Sequence, residues 1–164
     1  MTVTEAVAKA KELFGIEPSA AYKGIETADD FVFAVQTDTT NQAAEGNWIV
    51  CADHVKEHSG ALNVSTSDNG TTKGATQRTL TINGDRCVGD AFQDFLLSHK
   101  IAFGSGQSVV VPYIYFSLRT GKGEKGIGTL ILTSDKGGAA GANATFACDF
   151  KGFGTPTEYT YAPA

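Results

Sequence analysis

Val109-Val-Val-Pro-Tyr-Ile-Tyr-Phe-Ser-Leu118 is the stretch that decides the fold. Val109, Val111, Tyr113 and Tyr115 alternate with Val110, Ile114, Phe116 and Leu118, so both faces of an extended chain here are apolar. β-Branched and aromatic side chains suit a pleated backbone, and the run is far too short to cross a bilayer as a helix. A strand apolar on both sides is either central in a covered sheet or lies at a subunit contact. Pro112 removes one ladder donor, which predicts an edge or a bulge at that point.

The same period of two recurs on either side. Phe31 to Thr37 places Phe31, Phe33 and Val35 on one face, and Trp48 to Val55 and Arg78 to Ile82 read as further strands. Gly121 to Gly126 reads as a turn, Gly128 to Thr133 as a strand and Gly137 to Gly141 as a flexible connection. Ala144 to Lys151 alternates cleanly, with Phe146, Cys148 and Phe150 inward and Thr145, Asp149 and Lys151 outward. Two segments break the β pattern. Thr2 and Glu5 have capping-box spacing, and Val3, Val7, Ala10 and Phe14 recur at helical intervals until Gly15, predicting a short N-terminal helix or arm over residues 1–15. Asp90 to Lys100 predicts a second helix, with Phe92, Phe95, Leu96 and His99 on one side. Residues 59–75 are dominated by Ser, Thr, Asn and Gly and read as a long exposed loop or ribbon tip. The 155–164 tail has too little apolar content to fold alone. With no linker between two cores, residues 1–164 are expected to form one domain: a mainly β, antiparallel sandwich or barrel with a helix packed on it.

Composition narrows the functional classes. The 164 residues include nineteen glycines and as many threonines, only 19% are charged, and the net charge is −5. That charge argues against a protein that grips nucleic acid, which would need a basic face. Three widely spaced cysteines, Cys51, Cys87 and Cys148, exclude a disulfide framework and fit buried thiols in a reducing compartment. No secretion signal and no membrane span are expected, because the first twenty residues carry acids and no apolar segment.

Three motifs suggest chemistry, and each has a simpler account. His54-Val-Lys-Glu57-His58 matches a zinc-hydrolase spacing, but that chemistry needs a helix to bring two imidazoles onto one metal, and here the preceding residues alternate like a strand. Gly121-x-Gly123-x-x-Gly126 matches a dinucleotide fingerprint, yet a β-branched strand follows it instead of the helix whose N-terminus would hold the pyrophosphate. Asn63, Asn69 and Asn143 begin glycosylation triplets that a threonine-rich chain produces by chance. Neither a nucleophile setting nor a cofactor site is legible, so no enzyme activity, cofactor or metal is expected.

The order of pieces between about residues 80 and 156 resembles the major tail tube proteins of long-tailed, non-contractile bacteriophages. Gly89-Asp90-Ala91-Phe92-Gln93-Asp94-Phe95 looks like that family's polar-led helix, and Val111-Pro112-Tyr113-Ile114-Tyr115-Phe116 is similar to its aromatic strand. Gly121-Lys122-Gly123-Glu124-Lys125-Gly126 resembles the turn that follows. Ala144-Thr145-Phe146 and Gly152-Phe153-Gly154-Thr155-Pro156 look like the last strand and exit. The resemblance implies a helix-flanked β-sandwich assembled into stacked hexameric rings, in which sheets join around a lumen and the termini and a long hairpin loop reach adjacent rings. It implies a virion tail assembled in the host bacterial cytoplasm, with tape measure and tube-end proteins as partners and DNA as transient cargo. Six copies of a −5 chain would carry −30 per ring, and an acidic wall would let DNA slide without sticking. Candidate assembly residues are Val3 and Val7 in the N-terminal arm, Ser67, Asp68, Asn69, Gly70 and Thr71 in the 59–75 inter-ring loop, and Tyr113 and Tyr115 in the two-faced strand. The rival readings are the inner tube of a contractile tail or secretion apparatus, and a monomeric β-barrel binding a small ligand at Trp48, Tyr113 and Tyr115.

Overall fold

A computed structural model of the chain describes residues 2–37, 48–50, 55–66 and 73–162. Helix α1 (Val3–Phe14) is followed by strands β1 (Phe31–Gln36), β2 (Trp48–Val50), β3 (Val55–Thr66) and β4 (Lys73–Asp85). Helices α2 (Ala91–Leu96) and α3 (His99–Ala102) lead to β5 (Val110–Ser117), β6 (Lys122–Gly137) and β7 (Thr145–Thr160). All pairings are antiparallel, and the strands form one seven-stranded sheet in the order β2-β1-β5-β6-β7-β4-β3. The mainly antiparallel β architecture is therefore as expected, and one continuous sheet makes the sandwich by coiling on itself. Neighbouring strands lie about 4.8 Å apart, so β1 and β7, three ladders distant, would be ~14 Å apart on a flat sheet. The rings of Phe33 and Phe150 are instead 5.2 Å apart.

Coiling gives the sheet a concave face and a convex face. The concave face encloses Phe33, Leu80, Leu130, Phe146 and Phe150, with Phe92 and Leu96 of α2 and Ile101 of α3 closing it. On the convex face, Val32, Ala34, Ile114 and Phe116 lie under Val3 and Ala10 of α1. β1 and β5 are thus covered on both sides, which is why the Val109–Leu118 stretch shows no polar face. Pro112 lies one residue beyond the last β1–β5 pair, Val35 with Tyr113, so the donor it lacks is missing where that ladder ends.

Several boundaries differ from the sequence reading, each for a physical reason. The expected 90–100 helix is two helices, because Ser98 adopts an extended backbone and its hydroxyl donates to the Phe95 carbonyl at 2.6 Å. The break lets Leu96 and Ile101, five residues apart and off a common helical face, enter the same core. The chain reverses at Leu118–Gly121, not across 121–126: the Gly121 N–H donates to the Ser117 carbonyl, and β6 begins at Lys122. Gly121 has φ +73, as a tight turn requires, but Gly123 is a strand residue whose added Cβ would lie 2.0 Å from the Tyr115 carbonyl oxygen. The 155–164 tail is largely strand, with Thr157 to Thr160 paired to Lys125 to Lys122. The 59–75 loop is largely a hairpin, since residues 59–66 belong to β3 and 73–75 to β4; its tip, with Ser67, Asp68, Asn69, Gly70 and Thr71, lies outside the described residues.

Candidate assembly surfaces

The β3–β4 hairpin is where the subunit is least complete. β4 pairs with β7 only from Thr79 to Asp85, whereas it pairs with β3 from Lys73 onward. Residues 62–66 and 73–78 therefore form a two-stranded ribbon beyond the body of the sheet, with Leu62 and Val64 exposed. Two strands with no third are marginal in water. β3 is also an end strand of the sheet, so its outer backbone groups over twelve residues have no strand partner among the described residues. β2 ends the other side, and there Thr2 bridges to Ile49 and occupies part of the edge.

The root of the ribbon is held by a polar cluster on the concave face. Arg78 Nη2 lies 2.5 Å from Glu124 Oε1 of β6, and the Tyr113 hydroxyl donates to Glu124 Oε2 at 3.0 Å. The Arg78 guanidinium also sits 5.8 Å from the centre of the Tyr115 ring, which stacks on Phe31. Arg78 reaches across β7 over Gly152, whose added Cβ would lie 3.3 Å from Arg78 Cβ. Burial, then the Glu124 charge and hydrogen bond, push the Tyr113 hydroxyl far above its ordinary pKa despite Arg78. Tyr113 is therefore a neutral donor.

Four of the assembly candidates can be placed within the subunit. Tyr113 is fully buried, packed against Phe33 and Phe150, and Tyr115 is half-buried in the Arg78 cluster; both serve the subunit's own core. Val3 is buried and Val7 half-buried on the convex face, where they hold α1 to its own sheet. Phe14 is 74% exposed with Leu13 beside it, and the chain returns to the convex-face core at Ile16, just after Gly15.

Trp48, Pro112, Lys125, Ile127 and Phe153 border an open convex-face cavity of about 550 Å³. The β7 side is shaped by a bulge: Lys125 pairs with Thr157 but Ile127 with Phe153, leaving Gly154, Thr155 and Pro156 to bow outward, Gly154 at φ +77. The Lys125 ammonium lies 5.5 Å from the centre of the Trp48 ring. Phe153 and Ile127 are 66% and 41% exposed. Tyr113 and Tyr115 point to the opposite face, so the ligand pocket expected of Trp48, Tyr113 and Tyr115 is not formed.

The residues behind the other motifs are also placed. His54 lies outside the described residues, while Glu57 and His58 belong to strand β3, not to the helix that a zinc site of that spacing requires. Asp30, just before β1, is buried. Burial opposes its ionisation, but the Thr27 N–H at 2.9 Å and Arg119 Nε at 3.1 Å outweigh burial and lower its pKa.

No family model matches the sequence, and no curated protein does. Solved structures do. The tail of an empty gene transfer agent particle, refined with helical C6 symmetry, superimposes with TM-score 0.54 at 15% identity over 84% of this chain and all of that one. The virion of a native gene transfer agent particle gives 0.53 at 14% identity over 83% of this chain and all of that one. The tail tube of SPP1 gives 0.58 at 7% identity over 84% of this chain and 80% of that one. The mainly antiparallel β fold of this chain is thus one it shares with tail and tail tube structures.

Proposed function

We propose that the protein is a structural, non-enzymatic subunit that self-assembles into stacked rings forming the tube of a virion tail. The observation that carries this reading is the unsupported β3–β4 ribbon with its open edge, on a fold shared with tail tubes. A ribbon exposing Leu62 and Val64 gains order and buries apolar surface only against another chain. Six subunits per ring is the stoichiometry suggested by likeness to a C6 tail. The tube would conduct DNA into a host cell, with tape measure and tube-end proteins completing it. Outside α1 and away from Ile127 and Phe153, the convex face over β4, β7 and β6 carries Thr79, Thr81, Thr129, Asp149 and Lys151 around Ile131, a largely polar surface suited to a water-filled lumen. Asp149 and Lys151 offset each other there, so any repulsion of phosphates must come from other acids.

The test is sedimentation velocity with negative-stain microscopy across a concentration series. Rings or tubes are expected. A monomer under all conditions refutes the proposal. Deleting Ser67 to Lys73 should keep the folded spectrum and stop tube growth; undiminished growth removes the hairpin from the account.

A further inference from the structure

We propose that the cavity beside Trp48 receives the exposed C-terminal end of α1, with Leu13 and Phe14, from a second copy of this chain. The contact is head-to-tail and runs along the strand direction. It rests on the stacking reading above and names one of the surfaces that stacking would use.

The geometry of one subunit carries the argument. α1 begins beside β2, where Thr2 bridges to Ile49, and its end leads to the far end of β5, where the Ser19 N–H donates to the Arg119 carbonyl and Pro18 lies against Gly121. The cavity is at the other end of β5, where Pro112 faces Ile127 and Ile127 faces Phe153. Pro112 and Leu118 are six residues apart, about 20 Å in a strand, and twelve helical residues span about 18 Å. The projecting apolar end and the receiving cavity therefore sit at opposite ends of the same subunit. A chain cannot fill its own cavity with Phe14, but a copy displaced along the strands can. Two different patches that meet head-to-tail propagate without limit unless a rotation closes them.

The surfaces also match in chemistry. Leu13 is 59% and Phe14 74% exposed, while Ile127 and Phe153 are the exposed apolar rim of the cavity. Among the described residues Lys125 is the charged residue of the cavity, and no acid lines it. The helix end carries Glu12 and the negative pole of the helix dipole, and its nearest cation, Lys11, is engaged by Glu17. An aromatic side chain in such a cavity, beside Trp48 and Phe153, has the character of a central interface anchor.

The test uses the full chain. Phe14→Asp and Phe153→Asp alter exposed side chains, so each should unfold thermally as the wild type does. Each should raise the concentration needed for polymer, read by sedimentation and negative stain, at least tenfold. Separately, Phe14→Cys and Phe153→Cys combined in one chain should give, after oxidation of assembled material, a ladder of covalent multimers on a non-reducing gel that identically treated wild type lacks. If wild type polymerises while both aspartate variants polymerise equally well and no ladder forms, the contact is overturned and the tail-tube reading stands. If only the Phe153 variant fails to polymerise, the helix end is not the occupant. A faster-migrating monomer, showing a bond within one chain, also overturns the geometry. Wild type that remains monomeric overturns both readings.

Discussion

Removing the Glu124 carboxylate should cost more than any other single change at a polar side chain in the sheet. Glu124 ties three strands: it pairs with Arg78 of β4 at 2.5 Å and accepts from Tyr113 of β5 at 3.0 Å. Glu124→Ala would leave the Arg78 cation against an apolar wall and the Tyr113 hydroxyl without its acceptor. Breaking a fully buried pair from one side costs about 3–5 kcal/mol, because the abandoned charge has lost its water. Here the two side chains are 23% and 14% exposed, so water can partly reclaim the guanidinium, and about 2–3 kcal/mol is expected. For a chain of this size that lowers the melting temperature by roughly 4–12 °C. Denaturant titration of Glu124→Ala, Arg78→Met and the double variant forms a cycle in which the double variant should be less destabilised than the sum by at least about 1 kcal/mol. Hydrogen exchange should show the loss spreading into residues 62–66 and 73–78, which Arg78 anchors on the concave face. A single-variant effect below about 0.5 kcal/mol, or strict additivity, would refute the idea that this cluster sets the ribbon's root.

Three further outcomes follow from packing and ionisation. Gly123→Ala should unfold the protein or lower its melting temperature drastically in a thermal scan, since the new methyl would lie 2.0 Å from the Tyr115 carbonyl oxygen and 2.5 Å from the Phe116 Cα, backbone atoms that cannot swing away. Asp30 has a lowered pKa when folded, so its contribution is full above the ordinary carboxylate range, near pH 4, and is lost as pH falls through the lower folded value; Asp30→Asn should flatten the acid limb of the stability profile, and an unchanged limb would contradict the Arg119 pairing. Burial, and then Asp149, push the Cys148 thiol up to about 12, so mass-mapped thiol labelling at pH 8 should leave Cys148 unmodified until the protein unfolds.

What could be read from the sequence was whatever one buried face writes into it. β5 and the Phe146–Phe150 part of β7 were legible because their neighbours enforce a period of two. The hairpin and the end of β7 were not. Asn63, Thr76 and Gln77 pair as strand residues but have little of either face buried, so no apolar alternation marks them, and the β-branching of threonine is the one local signal left. Glycines misled for a related reason: Gly123 and Gly128 serve close contacts with Tyr115 and Phe150 that only the folded sheet creates. The break at Ser98 belongs to the same class, since the core's demand for both Leu96 and Ile101 overrides helical continuity. The candidate surfaces were least legible of all. Trp48, Pro112, Ile127 and Phe153 come from four strands, and Arg78 and Glu124 are 46 residues apart in the chain.

The unsatisfied surfaces of this subunit point in two directions. The open edge of β3 lies at the side of the sheet, so a neighbour that satisfies its backbone groups is placed laterally, perpendicular to the strands. Phe14 and the Trp48 cavity lie at the two ends of β5, so a neighbour that joins them is displaced along the strands. One subunit edge, at β2, is partly occupied by Thr2, which leaves the two sides of the sheet unlike and disfavours a simple two-fold pairing of edges. Unlike surfaces meeting head-to-tail give rings where the rotation closes and filaments where it does not. With one such contact across the strands and another along them, lateral closure and axial growth become separable, which is the requirement for a hollow tube of indefinite length. It also means that the two contacts can be disabled independently: a Phe14 variant should still form single rings, whereas loss of the β3 edge should leave no ring to stack.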